Sequence, residues 1–147
     1  MSRSIISQDT RSFVALRANH LCEYCLSFEG FSAVKFQIEH IISIKHGGTD
    51  DLLNLALACI FCNRFKGSDV GTILRAFQFT RFYHPRIDKW TDHFFLSDVL
   101  IEPKTEIGEA TVKIFKLNDP DRLIERYAYL SKGYFPHPNT FLNIFPK

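Results

Sequence analysis

Two Cys-x-x-Cys pairs, Cys22/Cys25 and Cys59/Cys62, account for all four cysteines of the 147-residue chain. Four thiols in two such pairs are the ligand set of a tetrahedral zinc ion, and a disulfide pairing is the competing reading. Between the pairs lies a Glu39–His40 dipeptide, and Asn63 follows the last cysteine directly. A carboxylate is a hard oxygen ligand for a magnesium-like cation. A neutral imidazole takes a proton from water near pH 7. Asn63 is aimed by the cysteine knuckle, and Asn54 can bridge backbone groups across the intervening loop. A Glu, a His and an Asn on one pinned loop can place a cation beside a base.

The cysteine pairs are separated by residues 26–58. This exceeds the spacing of ~15–20 residues in the short zinc pattern, so a small substructure must fit inside the loop. A strand is expected near 34–41 in AVKFQIEHI and a second, short one at 55–58. Gly47 and Gly48 supply a turn between them. A helix is expected to start at NRFKG, with Gly67 near its end. Ahead of the first pair, Ser7–Asn19 reads as a helix capped by Ser7 or Asp9, with Phe13, Leu16 and His20 on one face.

The second half has weaker signals. AFQFTRFYH is expected as a strand ended by Pro85, and WTDHFFLSD and VLIEP as two more. TEIGEATVKIFKL is expected as a helix. NDPDRLIERYAYLSKG is the clearest helix of the chain: Asp119 caps it, Pro120 fills its first turn, and Leu123, Tyr127 and Leu130 form its apolar stripe. The tail from Tyr134 is expected as irregular chain. Trp90 reads as a core aromatic, and Lys113, Lys116, Arg122 and Arg126 as solvated charges.

The segment EHIISIKHGGTDDLLNLALACIFCNRFKG, with its bracketing cysteine pairs, resembles the HNH endonucleases, also called ββα-metal nucleases. The pattern is an acidic residue and His on a strand, a Gly-Gly turn, Asp-x-x-x-Asn-Leu, then Cys-x-x-Cys followed by Asn and Lys-Gly. The resemblance implies an α+β fold. Its ββα-metal core (20–68) would be pinned by a four-cysteine zinc site, inside one domain (1–147). An N-terminal helix precedes this core, and an extension of short strands and helices (69–147) follows it. It also implies roles. His40 would be the general base, Glu39 and Asn63 ligands of a catalytic Mg2+ or Mn2+, and Asn54 the residue that shapes the loop. Cys22, Cys25, Cys59 and Cys62 would hold structural zinc. DNA would be the substrate, cut to leave 5′-phosphate ends. Arg64, Lys66, Arg86 and His93 are the candidate nucleic-acid contacts.

Composition sets bounds around this reading. Hydrophobic residues are 46% and charged residues 23%, with a net charge of +2, an ordinary globular balance that permits a polyanionic partner. No apolar run is long enough to span a membrane, and the N-terminal residues lack a signal-peptide stretch, so a cytoplasmic location is expected. A homodimer is the simple route to cutting both strands. Two other readings remain. One is a non-catalytic zinc-ribbon module that binds nucleic acid. The other is an HNH nuclease acting on RNA or modified DNA.

Overall fold

Ser7 opens the first helix by accepting the Thr10 amide, in a computed structural model that describes residues 5–144. This helix, α1, runs Gln8–Arg17. Its buried face is not the expected Phe13–Leu16 stripe. Val14 and Ala18 are buried, whereas Phe13 and Leu16 face solvent. Small residues let α1 lie close against the strand it covers, and bulky Phe13 carries the Arg17 guanidinium over its ring instead.

Strands β1 (Gln37–His40) and β2 (Leu55–Ala58) pair antiparallel, with His40 opposite Leu55 and Glu39 opposite Ala56. β2 is buried along its whole length. Helix α2 (Ile60–Lys66) follows at once, with Cys59 as N-cap and Gly67 ending it at a φ of 53°. These three elements form a ββα unit.

The extension differs from expectation at its start. The strand expected across Ala76–His84 is instead the second arm of a hairpin, β3 (Gly71–Arg75) and β4 (Gln78–Arg81), whose turn is Ala76–Phe77. WTDH forms a one-turn helix, α3 (Trp90–His93), before the hairpin of β5 (Phe94–Ser97) and β6 (Leu100–Pro103). Helices α4 (Glu106–Phe115) and α5 (Pro120–Ser131) follow, each near its expected span. The tail carries a short helix, α6 (Thr140–Ile144), whose Thr140 and Ile144 are buried. Its last residues, 145–147, lie outside the described residues.

The core joins the two halves. Trp90 is buried and donates from Nε1 to the Tyr24 carbonyl at 3.0 Å, and the Tyr24 ring packs against Phe115 and Tyr83. The stripe expected on α5 holds only in part: Leu123 and Leu130 are partly buried, but the most buried side chains are basic. Tyr127 and Ile124 face solvent, while Arg122 and Arg126 are buried. No helix among the described residues is long and apolar enough to cross a membrane.

Candidate active site and metal centre

The four cysteines converge. Their Sγ atoms all lie within 4.8 Å of one another, every one buried, and Cys25 and Cys59 are 3.7 Å apart. Four ligands at a Zn–S distance of ~2.3 Å in a tetrahedron stand about 3.8 Å apart, so the donor set and its spacing fit zinc. None of the four forms a disulfide. Local geometry places them: Cys59 accepts the Cys62 amide as N-cap of α2, and the Cys22 amide bonds the Ser27 carbonyl to close the first turn.

A cation completes this cluster. Arg122 of α5 donates from Nη2 to Cys62 Sγ at 3.2 Å and to Cys59 Sγ at 3.6 Å, and from Nη1 to the Phe115 carbonyl at 2.7 Å. Burial alone would lower its pKa, yet the charges at Cys62, Cys25 and Cys59 carry it above the usual arginine value. A zinc ion with four thiolates is a net dianion. With zinc bound, the buried Arg122 beside it would be paired with this charge. Arg126, one turn on, caps the carbonyls of Val99 and Leu117.

At the far end of α2 the chain takes a different shape. Ile41 and Ile42 leave β1 and enter the Gly-Gly loop. Asn54 ties this loop at three points: it accepts the Ile42 amide at 2.8 Å and donates to the carbonyls of Ile42 at 2.9 Å and Thr49 at 2.8 Å. Gly47 sits at a φ of 91°, open to glycine without strain. Any Cβ at Gly48 would fall 1.7 Å from the Ile42 carbonyl oxygen. The loop carries Asp50 back to β1, where its Oδ1 lies 2.7 Å from His40 Nε2. The His40 ring is partly exposed and Asp50 half exposed.

Glu39 and His40 do not share a face. β1 is regular up to its last residue, so the two side chains alternate. The Glu39 carboxylate is 5% exposed, accepts the Tyr24 hydroxyl, and lies 3.2 Å from Lys66 Nζ. Burial pushes its pKa up, against the pull of Lys66 and Tyr24. Glu39, expected as a ligand of the catalytic cation, is engaged by Tyr24 and Lys66 in this structure. Lys66, expected at nucleic acid, is buried with it. It is 2% exposed and also donates to the His40 carbonyl at 3.0 Å, so it grips β1 from α2 rather than reaching for phosphate.

Asn63 lies three residues before Lys66, hence near the same face of α2. Its side chain is half-buried and makes no hydrogen bond to another described residue. Arg64 is exposed beside it. Arg86 and His93 depart from the expected nucleic-acid contacts. Arg86 is mostly buried against the Glu23 carboxylate, and burial beside Arg17 lowers its pKa to about 10. His93 Nδ1 meets the Thr105 hydroxyl at 2.6 Å while its Nε2 faces Asp88 at 3.7 Å. Arg86 thus ties the extension to the ββα core, and His93 is a polar tie within the extension. The cysteine spacing, the Gly-Gly loop and the sequence of β1, β2 and α2 together match one family model.

Residues 22–69 match the HNH endonuclease family. The match points to nuclease activity in general and spans less than half of the chain. It begins at Cys22 and ends just past Lys66 and Gly67, so the HNH segment is the ββα unit with both cysteine pairs. No curated protein and no solved structure matches the chain significantly. Two residues of the site carried no role in the sequence reading. Asp50 stood in the quoted Asp-x-x-x-Asn-Leu pattern and is the partner of His40. Arg122 lies outside the HNH segment, and its signal was only an Arg four residues before another Arg on one helix.

Proposed function

We propose that the protein is a metal-dependent DNA endonuclease whose working residues are His40, Asp50 and Asn63. The observation that carries this reading is the 2.7 Å contact between His40 Nε2 and Asp50 on a loop held open by Asn54 and Gly48. With Nε2 donating its proton to Asp50, the lone pair falls on Nδ1. Nδ1 then takes a proton from the attacking water, and the Asp50 carboxylate stabilises the imidazolium that results. Hard oxygen donors suit a catalytic Mg2+ or Mn2+, and the Asn63 amide and the Asp50 carboxylate would hold it. A divalent cation, when bound, neutralises charge developing on the scissile phosphate and its leaving oxygen. Arg64, exposed next to Asn63, would meet the phosphate backbone. Glu39 and Lys66 act below, as the buried pair that keeps β1 against α2.

The experiment is cleavage of supercoiled plasmid DNA in magnesium or manganese. Nicked or linear product from the wild type supports the reading. Tight DNA binding without product in either metal would favour a zinc-ribbon binding module, which needs neither His40 nor Asp50. RNA and modified DNA as parallel substrates decide the substrate class.

A further inference from the structure

The β3–β4 hairpin has a turn that local preferences argue against. Arg75 pairs with Gln78, so Ala76 and Phe77 are a two-residue loop, and both sit at positive φ, 23° and 67°. Loops of this kind favour Asn-Gly because Gly, and after it Asn, take a positive φ at the least cost. A phenylalanine in that position is strained, and this one is also 97% exposed. Beside it on the outer face stand the cross-strand pair Ile73 and Phe79, both more than half exposed. The other face packs on α4. Strain and exposure at one side chain, with nothing in the fold gained from either, point to a role outside the fold.

The hairpin rises beside the HNH loop. The Ser43 hydroxyl donates to the Ser68 carbonyl at 2.8 Å, and Phe82 bonds Val70 to close the hairpin base. Its arms reach about 15 Å, well inside one DNA helical turn of ~34 Å. The segment 71–81 contains two arginines and no acidic residue. Arg75 is held by Glu106 and Glu109, and Arg81 by Asp88. The three apolar side chains present about 400 Å². A stable protein interface takes ~800 Å² from each partner, so the patch is small for a second copy. A wedge between two base pairs, however, needs only one or a few apolar side chains.

We infer that Phe77 is a wedge that inserts between stacked base pairs of duplex DNA and kinks it beside the cut. This rests on the nuclease reading of the HNH segment and adds how that site takes hold of DNA. Apolar side chains that unstack a base step bend DNA by 20–90°.

The test is an end-labelled DNA duplex, read by energy transfer, with magnesium withheld. Wild type is expected to bring the ends closer at saturation. Ala76→Asn/Phe77→Gly is expected to melt about 2–4 °C higher, because the turn is relieved. It should bind about 5- to 100-fold more weakly and leave the duplex straight. Phe77→Trp should keep the bend. Equal bending by wild type and the double variant would overturn the wedge while plasmid cleavage still upheld the nuclease. A wild-type dimer that the double variant splits, with bending unchanged, would assign the face to a second copy. A wild type that neither binds nor cuts DNA would overturn both readings.

Discussion

The two ends of α2 contrast. At its N-terminus the cysteine knuckle is closed: four buried sulfurs surround one position, and Arg122 seals it. At its C-terminus Lys66 grips β1 from below, while His40, Asp50 and the Gly-Gly loop open outward. A site saturated by four thiolates has no place for substrate. A partly exposed imidazole tied to a carboxylate is open to one. On the proposed function, one short helix separates holding from working. Every substitution on the knuckle side should register first in stability, and every one on the loop side first in activity.

The largest expected effect is loss of the knuckle. Structural zinc contributes ~10–16 kcal/mol in small zinc domains. Cys59→Ser, or zinc removal by a chelator, should unfold the ββα unit and release Arg122 from its partner. Zinc content with circular dichroism checks this, and a well-folded, zinc-free Cys59→Ser protein would break the contrast.

Next comes the buried pair. Lys66→Met leaves the Glu39 carboxylate unpaired and should cost about 3–5 kcal/mol in denaturant unfolding. The double variant Glu39→Leu/Lys66→Met should recover most of it. If the double variant also abolished cleavage while folding well, Glu39 would belong to the working side after all. Asn54→Ala removes three hydrogen bonds, two of them partly buried, and should cost about 1–3 kcal/mol, with cleavage falling further as the loop loosens. Asp50→Asn should barely move stability, within about 0.5 kcal/mol. Cleavage should still fall about 10- to 100-fold, because His40 loses its anionic partner.

This contrast was partly legible in the sequence. The knuckle could be read because its ligands come in local pairs whose spacing is itself the geometry. The loop could be read from Gly48 and Asn54, which have few other uses together. The burial of Glu39 was not legible, because a motif names neighbours without saying what each side of the strand packs against. Lys66, three residues after Asn63, was its counterion all along. The buried arginines of α5 were missed because periodicity counts apolar residues, and the sulfurs that Arg122 meets sit some 60 positions upstream, on Cys59 and Cys62. The β3–β4 hairpin went unseen because Ala76–Phe77 lacks every residue type that marks a tight turn.

The most direct measurement is plasmid cleavage by His40→Ala, with zinc content and melting temperature taken on the same preparation. Division of labour along α2 predicts wild-type zinc, a melting temperature close to wild type, and cleavage reduced about 10²- to 10⁴-fold. Cleavage at the wild-type rate, or loss of zinc and fold with the histidine, would contradict it.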